Sequence, residues 1–257
     1  MPSIADARTV LVIGATAGLG RALAKAIRDL PSKPTVVAAG RRRKRLEELA
    51  QEGGILTEQL DINLPRDELI PSVNALLKKY PDTDAVIFSA GVQRMFNLKE
   101  PQKADLDAMQ LEWYTNFVSP ITQIFKCFLP HFQELEKQGR PTFILPITSG
   151  LAAVPASAIP VYSATKAALH SFCMSMAKQL DNSNIHVVEI VPPLVESELH
   201  DYEGTTERLS KLWMPLAEWT KLTMDGLLST NGSGIVAVGS IKKWYDDFEV
   251  GKVSMVL

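Results

Sequence analysis

The chain has 257 residues, 46% of them hydrophobic, enough for one sizeable core, and a formal net charge of −2. That balance offers no positive field to nucleic acid or to an anionic membrane, and no apolar run approaches the ~20 residues of a membrane span. The two cysteines, Cys127 and Cys173, lie in apolar helical stretches, which argues for buried packing thiols in a reducing compartment rather than a disulfide framework. With no basic-then-apolar opening of the kind a signal peptide has, the expectation is a soluble, cytoplasmic protein.

Short β-branched runs alternate with amphipathic stretches along the chain, the pattern of a parallel sheet covered by helices. Strands are predicted at 9–13, 35–39, 55–60, 85–88, 142–147, 186–191 and 234–238. Helices are predicted at 19–29, 43–51, 67–79, 105–138 and 161–180; the fourth is long enough to be two, kinked or divided at Ser119-Pro120. The expected fold is a single-domain α/β, Rossmann-type, doubly wound parallel sheet of about seven strands with helices on both faces. One compositional break, 196–219, is rich in aromatics and charges and reads as a substrate lid.

The first strand runs into Gly14-Ala-Thr-Ala-Gly18-Leu-Gly20 and then a helix, a setting where backbone amides attract phosphate. Gly14 suits a tight turn, Gly18 a close approach of a pyrophosphate, and Gly20 close packing of helix on strand. The spacing is not that of the generic G-x-G-x-x-G fingerprint, and a purely structural turn is the alternative. After the second strand come Arg41, Arg42 and Arg43, where an NAD site would usually place a carboxylate. Guanidinium forks match a 2′-phosphate, so the pattern favours NADPH/NADP+, with Arg41 first and Arg42 second; a solvated helix turn or basic patch would look the same. Asp61 is placed to meet an adenine amino group or to cap a helix.

Tyr162 and Lys166 are four residues apart and project from one helix face. A neighbouring ammonium stabilises a phenolate and brings a phenol closer to the pH at which it exchanges protons. Such pairs are also common on helix surfaces. Ser149 adds weight, because it follows a probable central strand, where open α/β sheets carry their sites, and a hydroxyl there can hold a carbonyl oxygen.

With those residues in hand, the chain resembles the short-chain dehydrogenase/reductase family, NADP-dependent and single-domain, over essentially its full length. The family's T-G-x-x-x-G-x-G is similar to the segment ending Gly14 to Gly20, and its N-N-A-G to Phe88-Ser89-Ala90-Gly91. Its P-G-x-x-x-T is similar to Pro192-Pro193-Leu194-Val195-Glu196-Ser197. The resemblance implies a catalytic tetrad of Asn116, Ser149, Tyr162 and Lys166. In it, Tyr162 protonates the carbonyl as hydride arrives, Ser149 holds the oxygen, Lys166 binds the nicotinamide ribose, and Asn116 fixes a water feeding protons back. It also implies cofactor contacts at Thr16, Leu19, Ile62, Ser89, Ala90, Gly91, Pro192, Val195 and Ser197, with Tyr162 and Lys166 shared.

Four positions depart from the family pattern: Ile13, Phe88-Ser89, Pro193, and Pro146, which is expected to force a bulge or edge-like geometry before Ser149. Leu199, Tyr202, Leu212, Trp213, Met214 and Trp219 either line a pocket for an apolar ketone or pack a lid onto the domain. Gln93 and Arg94 are expected near its mouth, Arg94 as a solvated charge. Phe117, Ile121, Ile124, Phe125 and Phe128 fit either a core stripe or the helical interface through which the family forms homodimers and homotetramers.

The function expected is reduction of a small ketone or aldehyde to an alcohol, reversibly, with no metal. The rival is a catalytically silent NADP(H)-sensing scaffold. A nucleotide-sugar epimerase is disfavoured, since 257 residues leave little room for its extra domain.

Overall fold

The structure, a computed structural model, describes residues 2–249, 251, 252, 255 and 256. Seven strands, β1 (Thr9–Ile13), β2 (Thr35–Gly40), β3 (Leu56–Gln59), β4 (Thr83–Phe88), β5 (Thr142–Pro146), β6 (Ile185–Val191) and β7 (Gly234–Ala237), form one sheet ordered β3-β2-β1-β4-β5-β6-β7. Every pairing is parallel. Strand order reverses between β1 and β4, so their carboxyl ends open a crevice there.

Alternate residues of the central strands feed two cores. Val10, Val12, Ala85 and Ile87 face α1 (Gly18–Arg28) and α9 (Leu216–Ser229), where Leu23, Ile27, Trp219 and Leu227 meet them. Leu11, Ile13, Val86 and Phe88 face α3 (Arg66–Lys79), the helical run from 106 to 136, and α7 (Pro160–Gln179). Both faces are therefore covered, which is why the strands read as continuous apolar runs. The remaining helices are α2 (Arg43–Gln51), α8 (Thr206–Leu209) and α10 (Ser240–Phe248).

The run 106–136 is neither broken nor simply kinked at Pro120. It alternates α4 (Leu106–Trp113), α5 (Ser119–Gln123) and α6 (Leu129–Glu136) with π-helical turns at Tyr114–Val118 and Ile124–Phe128. Each π-turn ends just before a segment with proline in its first turn, Pro120 or Pro130. A proline has no N–H to bond four residues back, and the wider turn accommodates that gap. Of the aromatic stripe here, Ile124 and Phe128 are core, whereas Phe125 is 54% exposed.

Pro146 does not insert a bulge. Ile144 pairs with Val187 and Ile147 with Ile190, the same offset, so the register carries through. Thr148 N–H donates to Ile190 and Ile147 N–H to Phe88, which puts the donor missing at Pro146 on the β6 side. The β5–β6 ladder is interrupted there and resumes one residue later.

Cys127 and Cys173 are buried free thiols, and burial pushes the Cys127 thiol up to about 11. No helix among the described residues is long and apolar enough to cross a membrane.

Candidate active site

A cavity of about 710 Å³ opens along the carboxyl ends of the strands. Of the cofactor and catalytic residues singled out from the sequence, all except Gly20 and Asn116 line it. Those two sit one layer behind.

At one end is the turn between β1 and α1. Gly14 has φ +91°, and a Cβ on it would stand 2.4 Å from the Ala90 backbone nitrogen, so the crevice can close only around a glycine. A Cβ on Gly20 would meet the Gly14 carbonyl at 2.5 Å and the Ser89 hydroxyl at 2.8 Å, so α1 packs directly on the turn. Ala17, which precedes α1, gives no side-chain cap, leaving the first amides of the helix to a ligand. Arg42 donates from Nε to Thr16 Oγ1 at 2.9 Å, and Arg41 lines the same end. A glycine cradle, an uncapped helix start and two arginines fit the phosphate groups of a dinucleotide. Asp61 accepts from the Asn63 amide at 2.9 Å while lining the cavity, so it closes its own turn and faces the cleft.

Three departures from the family pattern are accommodated by their surroundings. Phe88 stands edge-on to Phe128 with ring centroids 5.5 Å apart, and Ile13 lies in the same core, so apolar contacts steady the crevice. The segment holding Pro193 is fixed from outside: Met214 N–H donates to Leu194, and Glu196 N–H donates back to Met214.

At the other end Ser149, Tyr162 and Lys166 converge. Ser149 follows β5, and its hydroxyl accepts from the Leu151 amide at 3.1 Å. Tyr162 and Lys166 lie one turn apart on α7, with the ammonium 5.6 Å from the phenol ring centre. Burial raises the Tyr162 phenol above its ordinary value, and the Ser149 hydroxyl pulls it partly back. The phenol is thus displaced opposite to the direction expected from Lys166 alone, because it is withdrawn from water while the ammonium is directed elsewhere. Lys166 Nζ donates to the Ile147 carbonyl at 2.8 Å, and burial brings it down to about 8.

Asn116 is carried by the first π-turn. Its carboxamide donates to the Val92 carbonyl and accepts from the Val92 amide, both at 2.9 Å, clamping the segment after Gly91. Arg94 in that segment is not a free surface charge: its guanidinium lies 3.6 Å from the centre of the Tyr202 ring.

The apolar residues of 196–219 divide between cavity and core. Leu199 and Tyr202 line the cavity, but Trp219 is a fully buried core residue of α9, Leu212 is 75% exposed, and Trp213 and Met214 are not in the lining. Ile241 and Trp244 of α10 line it instead. Sequence reading assigned no helix there, although the apolar residues of 240–248 fall at helical spacing. It also passed over Glu112, four residues before Asn116, whose carboxylate is wholly buried and pairs with no other side chain among the described residues; burial raises it to about 7 against a partial pull downward from Arg94.

The short chain dehydrogenase family profile matches residues 8–208. The chain is 34% identical over 221 residues to the uncharacterized oxidoreductase DltE of Bacillus subtilis, covering 85% of this chain and 84% of that protein. It is 30% identical over 209 residues to the NADP-dependent 3-hydroxy acid dehydrogenase YdfG of Salmonella typhi, covering 79% and 80%. Among solved structures, a short-chain dehydrogenase from Sphingobium yanoikuyae in complex with NADPH shares the fold, with a TM-score of 0.76 and 20% identity over 93% of this chain and 91% of that one. A family member from Burkholderia phymatum in complex with NAD gives 0.78 at 15% identity over 95% and 93%. On its crevice, its fold and these matches, the chain belongs to the short-chain dehydrogenase family of oxidoreductases.

Proposed function

We propose that the chain is an NADPH-dependent oxidoreductase that reduces a ketone or aldehyde to an alcohol, reversibly, through Ser149, Tyr162, Lys166 and Asn116. The observation that supports this reading is that a buried phenol, a hydroxyl and an ammonium share one cavity with a glycine cradle and two arginines. The crevice residues would hold the cofactor, Arg41 and Arg42 taking its 2′-phosphate, and the bound nicotinamide supplies hydride chemistry. Ser149 holds the carbonyl oxygen. Tyr162 stays protonated at neutral pH, because burial penalises its phenolate, and gives that proton to the oxygen as negative charge develops there. Lys166 is charged below about pH 8 and stabilises the phenolate left behind. Asn116 acts through the Val92 backbone, keeping the loop after Gly91 against the site.

The substrate end combines apolar Leu151, Ile159 and Leu199 with Arg94 and Arg208, neither of which has an ion-pair partner among the described residues. We take this lining to fit an oxo acid with an apolar body, in keeping with a relative named for 3-hydroxy acids. The test is NADPH oxidation, followed by absorbance, across ketones, aldehydes, 3-oxo acids and their esters, with identification of the alcohol formed. Turnover with acids preferred to esters is expected. Tight NADPH binding with no turnover across the panel would instead mark a sensor.

A further inference from the structure

The turn that follows β6 reaches back across the cleft to the arginines after β2. Glu198 Oε2 lies 2.6 Å from Arg42 Nη1, and Glu198 Oε1 lies 2.9 Å from Arg45 Nη2. The same Arg42 donates from Nε to Thr16 in the glycine turn, so its guanidinium is held between the turn and Glu198. Ser197, next along, stands against that turn too, since a Cβ on Gly18 would lie 3.3 Å from its Cβ. Glu198, Arg41 and Arg42 all face the one cavity. A carboxylate with two oxygens on two guanidinium groups makes the contacts that a phosphate would make there.

We propose that Glu198 is a specificity-determining residue for the cofactor: its carboxylate occupies the anion seat at Arg42 and Arg45, and a 2′-phosphate must displace it to bind. The proposal rests on the reading of Arg42 as a 2′-phosphate ligand. NADH and ADP carry no phosphate at that position and have no need to displace the carboxylate. Glu198 therefore narrows the preference for NADPH without abolishing it. The side chains are about two-fifths exposed, so solvent screens the pair and its effect is modest, roughly three- to tenfold in affinity.

The test is calorimetric titration of the wild-type chain and E198Q with 2′,5′-ADP and with 5′-ADP, paired with fluorescence titration of NADPH and NADH. E198Q should bind 2′,5′-ADP and NADPH roughly three- to tenfold more tightly, with 5′-ADP and NADH unchanged. Equal shifts for both members of a pair, no shift, or weaker NADPH binding would overturn the proposal, the last by making Glu198 a clasp over the bound cofactor. Arg42→Ala separates the two claims. If it narrows the NADPH preference while E198Q changes nothing, only the role of Glu198 falls; if it leaves the preference intact, the 2′-phosphate reading falls as well.

Discussion

At the cofactor end of the cavity the lining comes from strand ends and the first turn of α1, whereas at the substrate end much of it comes from the segments after β6 and from α10. The first group is fixed by backbone geometry: Gly14 and Ala15 both donate to the Ala39 carbonyl, and Ser89 N–H donates to Ile13. The second is fixed by side chains. Met214 steadies the turn after β6, Ile241 fills the space over Gly150, and Arg94 stacks on Tyr202. Backbone-built walls restrict which residues can stand there, while side-chain-built walls tolerate change.

The sharpest way to break the comparison is at Gly14. A Cβ 2.4 Å from Ala90 N cannot be absorbed by rotating a side chain, and a positive φ adds strain. Gly14→Ala should lose several kcal/mol of stability or all NADPH binding, read by thermal melting and fluorescence titration. A matching change at the substrate end, Leu199→Ala, should leave cofactor affinity within about twofold.

Removing the Ser149 hydroxyl should cost about 10²–10³ in kcat with cofactor affinity unchanged, as for the loss of one oxyanion donor. Steady-state rates together with NADPH titration check this, and an unchanged kcat would remove Ser149 from the oxygen site.

Behind the proposed catalytic residues, Glu112 gives a smaller effect whose sign is set by pH. Its folded pKa is raised to about 7 from an ordinary 4.5, so between those values the folded state binds more protons than the unfolded one. Stability attributable to the acid form is therefore present below about pH 4.5 and lost as pH rises through about 7. Glu112→Gln should stabilise the protein by on the order of 2–3 kcal/mol at pH 8 and by little at pH 4.5, measured by urea unfolding at both. Equal effects at the two pH values would mean that the carboxyl is not the strained group.

The same contrast explains what was legible in the sequence. β1 falls at 9–13 as expected from its β-branched run, and the other strands fall within two residues of their expected ends; for the inner strands β1, β4 and β5 the reason is that burial on both faces demands a continuously apolar run. The glycine turn and the Tyr162–Lys166 pair could be read because their spacing is local. Pro146 misled: a missing donor suggested a bulge, but losing part of one ladder was the smaller disturbance. Trp219 could be read either as pocket lining or as packing onto the domain, and it packs as core; aromatic content alone says nothing about which way α9 faces. Glu198 against Arg42 was out of reach, because 156 residues separate the partners and only the folded crevice joins them.

The central claim is that Tyr162 is the acid of a carbonyl reduction, and Tyr162→Phe isolates it by removing one oxygen from a ring that otherwise stays packed. Turnover and NADPH affinity should be measured on the same preparation. The account predicts that turnover drops at least a thousandfold, on the order expected for losing a general acid, while NADPH affinity stays within about twofold. Retention of wild-type turnover by the phenylalanine protein would contradict it.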